Sequence, residues 1–222
     1  MDGVNKLRNM TFNRSEHVYS SPDVEEIIKD TIRFFNGTPV YELPAPKRFH
    51  GTGVYAIYCI SRQGVYSQYH SINRTSFSLP IYVGKAVPRG WRQARITTNF
   101  DSKNFELYAR LREHSRSITQ GSNIVISDFR CRFMILEGQE TDLIGTVEAA
   151  LIRLYRPLWN TVVDGFGNHD PGKGRYNQAK SDWDVYHPGR KWAEKCLGTP
   201  SNFSDVDIRV KNYLSMVGND GI

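Results

Sequence analysis

The chain has 222 residues, 39% of them hydrophobic and 23% charged, an ordinary balance for a protein able to bury a full hydrophobic core. Three cysteines with no CxxC pair argue against a disulfide framework or a zinc ribbon, no apolar run reaches the length of a membrane span, and the opening residues Met1 to Lys6 carry no apolar leader, so a cytoplasmic location is expected. The net charge of +6 favours an anionic partner, with nucleic acid a natural candidate.

Residues 1 to 21 read as a polar arm. Ser21-Pro22-Asp23 then marks a helix start, with serine at the N-cap, proline at the first position and acids in the first turn. Ile27, Ile28, Ile32 and Phe35 recur at helical spacing, and Gly37-Thr38-Pro39 stops the run. Pro44 and Pro46 keep the following segment extended. Residues 53 to 60, GVYAIYCI, read as a buried strand, and residues 79 to 84, LPIYVG, as its partner. The polar insertion between them, residues 61 to 78, is too long for a tight turn and predicts a protruding loop or an extended β-ribbon.

Further along, Phe105 to Ser117 predicts a helix with Leu107 and Leu111 inward. Residues 129 to 136, FRCRFMIL, predict a central strand, and Thr141 to Arg156 a helix ended by Pro157. From Asp164 to Trp192 the chain is rich in Gly, Asp, Lys and aromatics, and Val206 to Met216 reads as a last amphipathic helix.

Several residues carry potential chemistry. Glu148 lies beside the apolar Ile144, Leu151 and Ile152 at helical spacing. A carboxylate there either reaches solvent or Arg153 and Arg156, or serves as a Mg²⁺ ligand, since magnesium often takes only one or two carboxylates. Arg110 and His114, four apart, share a helix face. They form either a solvated pair beside Glu106 and Glu113, or a phosphate-binding guanidinium next to a proton-moving imidazole. Tyr55 and Tyr82 suit strands on propensity alone, and become functional phenols only beside a cation. Gly53 and Gly84 leave room for close approach. Asn160 is either a helix cap or a tie between site loops.

Taken together and in order, the triplets Gly53-Val54-Tyr55 and Tyr82-Val83-Gly84, followed by Arg110, His114, Glu148 and Asn160, resemble the GIY-YIG nuclease family. Valine replaces isoleucine in both triplets, and residues 61 to 78 lengthen the spacer between the tyrosines. The resemblance implies an α/β (α+β) sandwich, a three-stranded antiparallel sheet flanked by helices. It places a nuclease core at 48–163, an N-terminal arm and helix at 1–47, and a DNA-contacting extension at 164–222. It implies Glu148 as ligand to one Mg²⁺ (Mn²⁺ can stand in), Tyr55 as general base with His114 assisting, Tyr82 hydrogen-bonded to phosphate or water, and Arg110 on the non-bridging oxygens.

The insertion and the long C-terminal segment look most like the type II restriction endonucleases of this family that cut GC-rich palindromes such as CCGCGG. Such an enzyme acts on double-stranded DNA in the bacterial cytoplasm, as a homodimer, leaves 5′-phosphate and 3′-hydroxyl ends, and belongs to a system with a cognate DNA methyltransferase that is not a stable partner. Structure-specific repair or homing-type nucleases of the same family are the alternative, and a DNA-binding module without cleavage is a second. Intact Tyr55, Arg110 and Glu148 count against the latter.

Other motifs fail. Residues 167 to 173, GNHDPGK, mimic a P-loop, but Gly174 stands where Ser or Thr should hold magnesium and no strand precedes them. Asn168-His169 lacks the upstream histidine of a paired metal site. Residues 172 to 192 interleave basic residues with aromatics and suit DNA backbone contact, with a solvated loop as the bland reading. Candidate DNA contacts are Arg62, Arg74, Arg89, Arg92, Arg95, Lys173, Arg175 and Arg190.

Overall fold

The computed structural model describes residues 12–91 and 104–219. One antiparallel sheet organises it, with strands β1 (Val40–Glu42), β2 (Gly53–Cys59), β3 (Tyr82–Ala86) and β4 (Phe129–Ile135) in the order β1-β4-β2-β3. The expected three strands are present, with a fourth added at the edge. Its three residues lie between Pro39 and Pro44, too short a run to show the alternation by which a strand is read.

β2 is buried along its whole length because helices cover both faces of the sheet, which is why its sequence is apolar without alternation. On one face Tyr55, Ile57, Cys59 and Tyr82 pack against α3 (Glu106–Gln120), α5 (Leu158–Thr161), α6 (Asp182–Tyr186) and α7 (Phe203–Asn219) through Leu107, Leu111, Trp159, Trp183, Val206 and Val210. On the other, Val54, Ala56, Tyr58 and Val83 pack against Phe35 of α1 (Pro22–Gly37) and Ile144, Val147 and Leu151 of α4 (Ile144–Tyr155). α1 buries only its C-terminal half. Phe35 is fully covered, whereas Ile27, expected on the inner face, is 47% exposed. The Ser21 side chain makes no capping bond, although Pro22 and two acids open the helix as expected.

Residues 61 to 78 form neither a protruding loop nor a ribbon. They contain α2 (Gln68–Ser76), whose inward residues are Tyr69 and Asn73, with Ile72 packed against the same core. The helix was hidden because an amide, Asn73, stands fully buried on its short inner face. Asn73 Nδ2 donates to the carbonyls of Cys59 at 3.0 Å and Leu79 at 2.8 Å, and its Oδ1 accepts from Leu79 N at 3.0 Å. One amide thereby joins the end of β2 to the approach of β3 across the insertion. Tyr66, just before α2, is also buried. Its hydroxyl accepts from Trp159 Nε1 at 2.9 Å and donates to His187 Nε2 at 2.7 Å, a ring that burial, and then the Arg190 charge, hold at about pKa 3.

Asn73→Ala would leave three buried backbone groups without this partner. We predict a stability loss of about 2–4 kcal/mol in denaturant unfolding, against less than about 0.5 kcal/mol for the exposed Ser71→Ala on the same helix. Equal effects would contradict the assigned role.

Candidate active site

The site begins with a missing side chain. In the β2–β3 register Tyr55 lies opposite Gly84, and the phenol crosses over it. A Cβ at Gly84 would meet Tyr55 Oη at 2.5 Å and the Tyr82 ring at 2.9 Å. Only glycine lets both rings occupy one face of the strand pair, with their centroids 6.3 Å apart. Tyr55 is fully buried and Tyr82 is 9% exposed.

α3 crosses the same face. Leu107, Leu111 and Ile118 hold it to the core, and His114 is drawn in with them. Tyr55 Oη and His114 Nε2 are 2.6 Å apart. Burial, then the charges of Arg110, His169 and Arg190, hold the imidazole pKa well below its ordinary value. The ring is therefore neutral, and in the tautomer protonated at Nδ1 its Nε2 accepts a hydrogen bond from the Tyr55 hydroxyl. Burial pushes the Tyr55 phenol well above its usual range, Tyr82 adds to that, and Arg110 opposes it. Tyr82 is raised by burial as well, with Arg110 opposing.

One helical turn before His114, the Arg110 guanidinium is mostly enclosed. Its Nη1 donates to Glu113 Oε2 at 2.8 Å and lies against the His169 ring, and its Nη2 donates to Gly167 O at 2.7 Å. Burial works against its charge, but Tyr55, Tyr82 and Glu113 outweigh that cost. The arrangement is a fixed cation beside two phenols and a neutral imidazole.

Glu148 approaches from the other face. It sits on α4, and its carboxylate pairs with Nζ of Lys85. Strand alternation explains the pairing, since Gly84 faces the tyrosines and Lys85 faces α4. β3 is an edge strand, so groups on its two faces are separated by a single chain. The Glu148 charge is felt by both phenols and helps raise each pKa. Asn160 closes the outer edge of β3. Its Oδ1 accepts from Val83 N at 2.8 Å and its Nδ2 donates to Val83 O at 2.9 Å. It caps no helix; α4 ends instead on Arg156 in the left-handed region.

No group of three or more His, Cys, Asp or Glu side chains able to hold a metal is assembled among the described residues. A cation here would take Glu148 together with water and phosphate oxygens, a donor set that fits magnesium and not a structural zinc. Lys85 would release the carboxylate on loading.

Of the six predicted site residues, the structure brings Tyr55, Tyr82, Arg110 and His114 together on one face of the sheet, places Glu148 on the other against Lys85, and sets Asn160 along the edge of β3. The arrangement also includes residues the motifs did not flag. Lys85 follows the second triplet directly, and its position in the strand alternation was the available signal. Phe166 stacks on His114 at 4.5 Å and meets Tyr82 edge-on at 4.8 Å. Gly167 and His169 also lie against Arg110, beside its i,i+3 neighbour Glu113, and no sequence spacing announces contacts between α3 and residues 167–169.

Of the expected DNA contacts, Arg62, Arg74, Arg89, Lys173 and Arg175 are exposed, Arg89 in a pair with Glu106 at 2.8 Å. Arg92 and Arg95 lie outside the described residues. Arg190 is a correction. It is 1% exposed and bound along one edge of its guanidinium to Asp184, at 2.6 and 2.8 Å, so it cannot reach a phosphate. The basic segment around it is in part a folded element packed under α7, not a free strip. Among the described residues no helix is long and apolar enough to cross a membrane.

Residues 47–214 match the family model described as the Eco29kI GIY-YIG domain. No curated protein matches the chain. The match covers about three quarters of the sequence and every site residue described above, so the chain belongs to the Eco29kI GIY-YIG restriction-endonuclease family, and its activity is that of an endonuclease on DNA.

Proposed function

We propose that the protein is a type II, sequence-specific endonuclease that hydrolyses double-stranded DNA to 5′-phosphate and 3′-hydroxyl ends, with one Mg²⁺ per site held by Glu148 and Mn²⁺ able to replace it. The observation that carries this reading is the 2.6 Å contact between Tyr55 Oη and a buried, neutral His114, with the Arg110 cation one turn away.

A buried phenol with a raised pKa is a poor base alone. Hydrogen-bonded to an imidazole that can take its proton, it becomes a relay. Tyr55 Oη accepts a proton from the attacking water as its own passes to His114 Nε2. Arg110 meets the charge that grows on the non-bridging oxygens, held for that task before the substrate arrives. Tyr82, the less buried phenol, donates to a phosphate oxygen or to the water. Asn160 keeps β3 in register and so keeps Tyr82 in place. The bound divalent ion supplies Lewis-acid stabilisation of the leaving 3′ oxygen. Lys85 balances the Glu148 carboxylate while that ion is absent.

Cutting both strands of a duplex calls for two such sites, so a homodimer related by a twofold axis, acting on a palindrome, fits the reading. A GC-rich palindrome is the proposed target, because exposed arginines are suited to the guanine edge in the major groove. Arg62, Arg74, Arg89, Lys173 and Arg175 supply exposed charge for backbone and base contacts. A cognate methyltransferase would protect the host sites without forming a stable complex.

Digesting DNA of known sequence with Mg²⁺ and sequencing the ends tests the whole proposal; discrete sites with 5′-phosphate ends are expected, and random nicking contradicts it. Glu148→Gln should lower cleavage about 100- to 1000-fold while DNA binding survives in a gel shift, the size expected for losing a charge-stabilising group; retained cleavage in Mg²⁺ would remove it as the ligand. Tyr55→Phe should cost several orders of magnitude in single-turnover rate, and near-normal turnover would pass the role of base elsewhere. Because the His114 pKa is depressed below its ordinary 6.5, the imidazole stays neutral as pH falls through that value. The single-turnover rate should therefore show no acid limb at 6.5, and a limb there would contradict a neutral acceptor.

A further inference from the structure

We propose that Arg190 is a positioning residue that holds Arg110 and His114 in place through the segment from Gly165 to Asn168. The inference rests on the catalytic reading of Arg110 and His114 given above.

Arg190 is buried between two indoles, its guanidinium 4.6 Å from the Trp183 ring and 4.7 Å from the Trp192 ring. Asp184 fixes one edge of the fork through Nε at 2.6 Å and Nη2 at 2.8 Å. The carboxylate takes two of the five N–H groups, and burial obliges the other three to find partners. All three go to one stretch of backbone: Nη2 to Gly165 O at 2.8 Å, and Nη1 to Phe166 O at 3.1 Å and Asn168 O at 3.3 Å. Five N–H groups in a rigid plane thus serve one carboxylate and three carbonyls, an arrangement that the point charge of a lysine cannot reproduce.

The other side of that stretch touches the reacting groups. Gly167 O accepts from Arg110 Nη2, and Phe166 lies flat on His114, the two rings 19° from parallel. Gly167 also passes so close to Tyr82 that a Cβ there would meet its hydroxyl at 2.6 Å. Gly165 adopts φ +91° and presses on Ser181, whose hydroxyl donates to Asp184 Oδ2 at 2.7 Å. Ser181, packed against the segment, is therefore held by the same acid that pairs with Arg190.

The brace closes on itself. Lys191 N donates to Gln120 Oε1 at 3.0 Å, and Ser122 N donates to Pro188 O at 2.9 Å. The turn carrying Arg190 is thereby pinned to the end of α3, the helix that bears Arg110 and His114. Gly189, at φ +136°, lets this turn lie against Gln120 O, where a Cβ would come within 1.9 Å. From α3 the chain of contacts runs through Arg190 to the Gly165–Asn168 segment and back to α3 at Arg110. Arg190 sets the orientation of the guanidinium without touching substrate.

The test is Arg190→Lys, which keeps the charge and loses the fork. Expected are a 10- to 100-fold fall in single-turnover cleavage rate, the scale of a misplacement of about 1 Å, and an unchanged affinity for DNA in EDTA. Histidine-labelled NMR should show the His114 titration moving up toward the ordinary imidazole range as Phe166 loosens, a change that loss of a merely structural pair does not require. Where the lysine variant fails to fold, Trp192→Leu removes one wall of the stack and should move rate and titration in the same directions. An unchanged rate, or a slower rate with the His114 titration unmoved, overturns the proposal. Arg110→Lys separates this failure from that of the catalytic reading: if it cleaves at the wild-type rate, Arg110 is not catalytic, while the His114 signal still reports whether Arg190 positions the segment.

Discussion

A phenol laid across a glycine is the contact from which the rest of the site follows. Tyr55 can reach His114 only by passing over Gly84, and it can do so only while β2 and β3 keep their register, because a slip of one residue would place Lys85 beneath the ring and turn every side chain to the other face. β3 is a short strand at the sheet edge, the kind of element most prone to slip or fray. The molecule holds it from several directions. Asn73 ties its approach to the end of β2, Asn160 pairs with its outward backbone at Val83, and Trp159 N donates to Ile81 O at 2.9 Å beside it.

Enclosure then sets the chemistry. The same burial that raises the Tyr55 phenol lowers the His114 imidazole. Both groups are left uncharged and joined by one hydrogen bond. The charges stay at the margin, with Arg110 on one face of β3 and the Glu148–Lys85 pair on the other. An edge strand permits this division because only one chain thickness separates the faces. In the middle of the sheet, a carboxylate behind the strand and two phenols before it would be insulated by neighbouring strands.

What could be read from the chain follows from how each feature is encoded. β2, β4 and α4 were legible because their burial is periodic or continuous, and the two triplets with Arg110, His114, Glu148 and Asn160 were legible as an ordered set. α2 escaped because its buried face is short and turns on Asn73, an amide whose value depends on backbone groups it meets only in the fold. β1 escaped because three residues show no period. Lys85 was passed over because its partner is 63 positions away. Arg190 was misread for a related reason. A basic residue amid glycines and aromatics has the composition of a DNA contact, and only packing shows that both indoles and an aspartate have already enclosed it. The contacts around Arg110 from Gly167 and His169 likewise exist only once distant segments have met.

The central claim is that a cation held by Glu148 lies beside both phenols, although the carboxylate and the rings start on opposite faces of β3. Adding Mn²⁺ to tyrosine-labelled protein and following paramagnetic line broadening tests it directly. With the ion in that place, Tyr55 and Tyr82 broaden most among the chain's 12 tyrosines, and Glu148→Gln abolishes the effect. Broadening centred on other tyrosines, or equal broadening in the variant, would contradict it.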